Sequence, residues 1–176
     1  YGVIKNPPGF IIGSIKKQNK NLEDFGYLME KIILFATDLD LQTCWLGGTF
    51  SQSNFVKQIN LLDDEIIPAV CAIGHATDKR SWTDQIIRAS AKSKKRKTWP
   101  ELFFLETFDY PLEKEKLNQY LEVLEMVRLA PSASNRQPWR IIKEKSNNIF
   151  HFYLLRNKKY NKTLNLLKLA DLQQID

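Results

Sequence analysis

The chain has little cysteine, little histidine and no long hydrophobic run, and each shortage removes a class of protein. Its two cysteines, Cys44 and Cys71, lie far apart and in no metal-ligand spacing, so neither a zinc site nor a disulfide framework is expected. Both read as reduced, buried thiols of a cytoplasmic protein. No apolar run approaches the roughly 20 residues that a membrane span requires, and no signal peptide is visible, so the expectation is a soluble protein without a membrane partner. The two histidines, His75 and His151, fall in separate predicted strands with no carboxylate or cysteine at ligand spacing, and both are expected to be structural. No Walker loop, G-x-G-x-x-G or G-x-S-x-G is present, which leaves phosphate transfer, Rossmann-type dinucleotide binding and elbow-serine hydrolysis without support.

What is present is the composition of one folded domain: 176 residues, 43% apolar and 26% charged. A chain of this size buries roughly 70% of its unfolded surface and needs no staples. The net charge of +6 is concentrated in one run, Lys92 to Lys97, "KSKKRK". The plain reading of the run is a solvated helix end. A nucleic-acid patch is disfavoured because no aromatic or Gly-rich recognition pattern accompanies it. The chain starts at Tyr1 without a methionine, and Leu166, Leu169, Leu172 and Ile175 still keep helical spacing where it stops. Truncation at both ends is therefore expected.

Periodicity sketches the elements. "PGFIIGSI" (Pro8 to Ile15) reads as a strand, and Asn21 can cap a helix from Leu22 to about Leu39 on which Leu28, Ile32, Phe35 and Leu39 form an apolar face. Met29, Ile33, Leu34 and Ala36 widen that face enough to predict a long central helix nearly enveloped by protein. "LQTCWLGGTF" reads as a loop turning at Gly47 and Gly48, "SQSNFVKQI" as a short helix, and "IIPAVCAIGHA" (Ile66 to Ala76) as a Pro-started buried strand. Ser81 to about Lys95 reads as a polar helix. Leu117, Leu121, Leu124 and Val127 mark a second amphipathic helix between Leu112 and Leu129, stopped by Pro131. A hairpin follows, "WRIIKEK" and "IFHFYLLR" around "SNN", where asparagine tolerates the positive φ of tight turns. The class is α+β: a small mixed sheet with helices around it.

The stretch "LAPSASNRQPWRII" (Leu129 to Ile142) is unusually particular for a loop. Ser132 and Ser134 supply hydroxyls, Asn135 and Gln137 supply paired amide donors and acceptors, and Pro131 and Pro138 restrict the backbone on either side. Such groups suit a planar ligand with alternating donors and acceptors. They equally suit a helix-to-strand connector whose Ser and Asn satisfy backbone groups. The spacing alone leaves both open.

"APSASNRQPW" resembles the signature of the nitroreductase family of flavin enzymes, and "GYLMEKIILFATDLDLQTCWLGG" with "IPAVCAIGHA" resembles that family's long central helix, its following loop and the strand after it. The order differs from ordinary nitroreductases, because here the "PSASN" loop follows the "TCWLGG" loop. That order resembles a branch in which two half-domains are joined in one chain that mimics the usual dimer. The resemblance implies one nitroreductase-like domain over residues 1–176, its halves about 1–90 and 91–176, acting as a monomer (pseudo-dimer) or a homodimer.

The resemblance further implies flavin mononucleotide (FMN) as cofactor. Pro131, Ser132, Ala133, Ser134, Asn135 and Gln137 would contact it, and Thr43, Cys44, Trp45, Leu46 and Gly47 would approach it largely by backbone. "KKRKTWPELFF" is similar to the family's basic opening, so Arg96 would bind the FMN phosphate with Lys97 as a point charge and Thr98 as a hydroxyl donor. Asp40 and Gln42 stand where the family's loop has glycines. Trp45 either borders the ring or fills core, and Cys44 is either reactive or an inert thiol. The activity implied is ping-pong hydride transfer from NADH or NADPH through flavin N5 to a nitroaromatic, quinone or similar electron-poor small molecule, with no general acid or base nominated. The alternatives are a non-catalytic flavin-binding or remnant protein of the same fold, and a nucleic-acid-associated basic module.

Overall fold

The computed structural model describes residues 4, 6–47, 52–75 and 94–156. They fall in two compact units, one within Tyr1–Ser90 and one within Ala91–Asn161.

In the first unit, strands β1 (Gly9–Ile12), β3 (Gln42–Leu46) and β5 (Val70–Gly74) form an antiparallel sheet in the order β1-β5-β3. The register sets Phe10 opposite Ala72 and Trp45 opposite Cys71. Both faces are covered, which is why the β5 sequence is continuously apolar rather than alternating. On one side Cys71 joins Ala69, Trp45 and the residues Phe25, Met29 and Ile33 of helix α1 (Asn21–Asp38). On the other, Val70, Ala72, Leu46 and Cys44 pack against Phe55 and Val56 of α2 (Gln52–Ile59). Alternation along paired strands therefore turns Cys44 and Cys71 to opposite faces, and the two form no disulfide with each other. Burial pushes the Cys71 thiol up to about 11.

"QTCWL" (Gln42–Leu46) is a strand, not a loop, because its Thr, Cys and Trp find a full antiparallel partner in β5. The first strand is split: Ile15–Lys16 (β2) leaves the main sheet and pairs with Glu65–Ile66 (β4). The buried strand begins at Val70 instead of Ile66, since Pro68 between β4 and β5 cannot donate to a ladder. Gly13, between β1 and β2, lies so close to α1 that a Cβ would stand 2.9 Å from the Phe25 ring.

Helix α1 forms where expected, but its enveloping by protein does not hold. The face turned to the sheet is Phe25, Met29, Ile33 and Ala36, whereas Leu28 is 58% and Phe35 64% exposed. The two apolar stripes lie side by side on the helix, and one sheet can cover only one of them. Asn21 does not cap the helix. Lys20 holds the N-cap position with φ 64, and the Asn21 side chain donates back to Lys16 O at 2.9 Å. The C-terminus closes with a Schellman pair, Leu41 N to Ala36 O at 2.9 Å and Asp40 N to Thr37 O at 3.0 Å, around Asp40 at φ 57.

The second unit is built on a mixed sheet, β6-β7-β8. Strand β6 (Phe103–Leu105) runs parallel to β7 (Trp139–Lys143), and β7 forms a hairpin with β8 (Phe150–Leu154). The short helix α3 (Trp99–Leu102) leads into β6. Helix α4 (Leu121–Leu129) supplies Leu124 to a core of Trp99, Leu102, Phe103, Leu112, Leu117, Trp139 and Ile141. The helix expected from Leu112 is shorter, with 3-10 turns at Lys114–Lys116 and Asn118–Tyr120 in place of its first part. Its end is as expected: Ala130, before Pro131, is extended at ψ 147.

The hairpin forms, but its asparagines are not among the positive-φ residues. Instead the buried Lys143 ammonium donates to Glu144 O at 2.8 Å and Asn147 O at 2.9 Å, holding the turn from within. The same fold-back sets His151 Nε2 2.9 Å from Glu144 Oε1, giving His151 a carboxylate partner that linear spacing hid. His75 lies just past the end of β5 and is exposed. Except for Lys94 and Lys95, the helix expected over Ser81 to Lys95 lies outside the described residues, as does the C-terminal helical pattern.

Candidate functional site

The loop between α4 and β7 is shaped by its prolines. Pro131 ends the helix, and a 3-10 turn at Ala133–Asn135 follows, closed by Asn135 N donating to Ser132 O at 2.9 Å. Ser134, Asn135 and Gln137 all take left-handed φ, at 51, 53 and 48. For residues other than glycine that conformation costs roughly 1–2 kcal/mol apiece, least for asparagine. A dense set of side-chain bonds holds it in place.

Ser132 Oγ accepts from Gln137 N at 2.7 Å. The Gln137 side chain, only 3% exposed, reaches across to the basic segment: Oε1 accepts from Lys97 N at 2.7 Å, and Nε2 donates to Asn135 Oδ1 at 3.0 Å. Asn135 Nδ2 donates to Lys95 O at 2.9 Å, and its Oδ1 also accepts from Arg96 Nη1 at 3.4 Å. Arg96 Nε donates to Leu129 O at 2.9 Å. Arg96 and Lys97 are thus brought together with Ser132, Asn135 and Gln137 through direct bonds. Thr98 sits beside them at the start of α3, its N–H and hydroxyl both donating to Glu101, at 2.7 and 2.8 Å. Ala133 and the exposed Ser134 form the outer turn.

The charges are arranged to stay charges. The Thr98 bonds, helped by Lys97 whose ammonium lies 3.7 Å away, hold the Glu101 carboxyl below its ordinary range. Arg128 does the same for Glu125 through a two-pronged pair, Nε to Oε2 at 2.8 Å and Nη2 to Oε1 at 2.5 Å. Burial lowers Arg140, which donates to Gln137 O at 3.1 Å, yet an arginine starts so high that it remains cationic. One buried donor stands apart: Trp139 Nε1 is enclosed and has no hydrogen-bond partner among the described residues. Chemically the arrangement can bind and orient an anion-bearing ligand.

The second group of expected residues is in the other unit. Thr43, Cys44, Trp45 and Leu46 belong to β3, with Gly47 just beyond it. Trp45 packs edge-on to Phe25 with ring centroids 6.3 Å apart, and Cys44 Sγ lies 3.7 Å from Trp45 O. Three residues near the loop were not singled out from sequence: Arg128, Glu125 and Arg140. The available signal was the Glu–x–x–Arg spacing on the last turn of the helix that runs into the loop. Among the described residues no group of His, Cys, Asp or Glu could hold a metal, and no helix is long and apolar enough to cross a membrane.

A family model described as "Putative TM nitroreductase" matches residues 1–176, and the chain belongs to that family. Among solved structures it is similar to a "putative nitroreductase" from Thermotoga maritima, at 22% identity and a TM-score of 0.53. The alignment covers 99% of this chain and 64% of that one, and at this identity the likeness speaks to the fold. No curated protein sequence matches.

Proposed function

We propose that the protein is a flavin oxidoreductase that binds FMN at the α4–β7 loop and passes reducing equivalents from NADH or NADPH to a small electron-poor acceptor such as a nitroaromatic or quinone. The observation that carries this reading is the bonded unit of Arg96, Lys97, Ser132, Asn135 and Gln137. It spans two stretches far apart in sequence and gathers cationic groups against a loop held in a strained conformation. Strain of that kind persists where the surroundings over-determine it, and functional sites are where it clusters.

The residues fit the chemistry of a phosphorylated flavin. A guanidinium and an ammonium suit a phosphate, and the buried Trp139 N–H, without an acceptor among the described residues, is the kind of donor that a ligand oxygen or ordered water satisfies. Asn135 and Gln137 take a supporting role: their amides hold the basic segment against the loop. When bound, the flavin supplies the hydride chemistry. Arg96 and Lys97 hold the phosphate end, and the Ser134 hydroxyl, exposed on the outer turn, is available to a ligand.

The test is NADH- and NADPH-dependent reduction of a quinone and of a nitroaromatic by the purified full-length protein supplied with FMN. Turnover that falls when Arg96 is changed to Met supports the proposal. Bound FMN with no turnover would leave a flavin-binding protein without catalysis, and neither binding nor turnover would discard the reading.

A further inference from the structure

The Lys95–Lys97 segment is held by side chains. Lys95 O accepts from Asn135 Nδ2 at 2.9 Å, Lys97 N donates to Gln137 Oε1 at 2.7 Å, and Lys97 O accepts from Arg128 Nη1 at 3.3 Å. The first two partners come from the loop, but the third comes from the last turn of α4. Arg128 can serve there because its other donors are fixed. Nε and Nη2 form the two-pronged pair with Glu125 one turn back, so the guanidinium plane is set and Nη1 is left to reach Lys97 O. The neighbouring carbonyl, Leu129 O, takes Arg96 Nε at 2.9 Å. The end of α4 therefore holds the segment at Lys97 O and at the Arg96 side chain, while Asn135 of the loop holds its Lys95 side. Glu125 also offsets the repulsion that gathering Arg96, Lys97 and Arg128 would otherwise create.

We infer that Arg128, oriented by Glu125, is a positioning residue: it fixes the Lys95–Lys97 backbone so that the Arg96 and Lys97 side chains are presented to the ligand's phosphate. The inference rests on the phosphate reading of this site. Arg128 acts through the segment and not on the ligand, so its loss must loosen that segment before any ligand is present.

The experiment compares FMN with riboflavin, which lacks the phosphate, as ligands of the full-length wild type, Arg128→Met, Glu125→Gln and Arg128→Lys, by flavin fluorescence quenching. Amide hydrogen exchange is recorded on the ligand-free proteins. Losing a charge-assisted bond predicts FMN affinity down about tenfold in Arg128→Met and Glu125→Gln, with riboflavin changed less than about twofold. The Lys97 amide should exchange about tenfold faster while the β7 amides keep their protection. Arg128→Lys keeps the charge but cannot bridge Glu125 and Lys97 at once, and should show the same selective loss. Equal losses for both flavins, or unchanged exchange at Lys97, would overturn the positioning role alone. Equal FMN and riboflavin affinity in the wild type would overturn the phosphate reading, and the positioning role with it.

Discussion

Changing Gln137 to Met probes the loop most sharply. Methionine keeps an unbranched side chain of similar length, so the buried volume and the left-handed backbone are little disturbed while both ends of the amide vanish. Two short bonds are lost, Lys97 N to Oε1 at 2.7 Å and Nε2 to Asn135 Oδ1 at 3.0 Å. Each is worth about 1 kcal/mol net, and stranding a partly buried group adds a further fraction of about 1–3 kcal/mol. Lys97 is half-buried, so water can reach its freed N–H and the addition stays small. The total is about 2–3 kcal/mol. At about 2–4 °C per kcal/mol for a chain of this size, the unfolding midpoint should drop by roughly 5–10 °C. Urea titration with an unchanged m-value is the assay. A loss below about 0.5 kcal/mol would mean that the Gln137 bridge contributes no stability, and the preorganised loop would have to be abandoned.

Three further outcomes follow from the same structure. Asp40 occupies the left-handed C′ position of the α1 Schellman motif, so Asp40→Gly should stabilise by about 0.5–1 kcal/mol in thermal unfolding and Asp40→Val should destabilise by more than about 1 kcal/mol. Trp99 Nε1 donates to Leu112 O at 2.7 Å whereas Trp139 Nε1 has no partner among the described residues, so Trp99→Phe should cost about 1–3 kcal/mol more than Trp139→Phe. Similar costs would contradict the assignment of an unsatisfied donor at Trp139. The Glu125 carboxyl sits below its ordinary 4.5 because of Arg128, so its contribution is complete above that pH and is lost as pH falls through the lower folded value. The stability gap between wild type and Glu125→Gln should therefore close on acidification, and a gap that widens would reverse the sign of the argument.

Strong local signals carried the sequence reading. The α1 helix, the helix stop at Pro131 and the β7–β8 hairpin were all legible, and the loop motif pointed to the family. What failed was whatever depended on a partner. "QTCWL" becomes a strand only because β5 lies beside it. The Leu28–Phe35 stripe of α1 scores as core by composition, yet the sheet meets the adjacent stripe. Asp40, read as a departure from glycine, adopts the very φ that glycine would supply. Of the two roles the spacing left open for Asn135 and Gln137, the bonds to Lys95 and Lys97 could not be placed, because nothing in the loop sequence reveals a basic segment packed against it.

The central claim is that the loop and the basic segment together hold FMN. Its most direct test is to purify the full-length protein, record its visible absorption, and release and identify any bound flavin by chromatography. The account predicts a yellow protein carrying about one FMN per chain, or apoprotein that takes up added FMN to that ratio, and Arg96→Met should lose most of it. A colourless wild type that takes up no added FMN would contradict it.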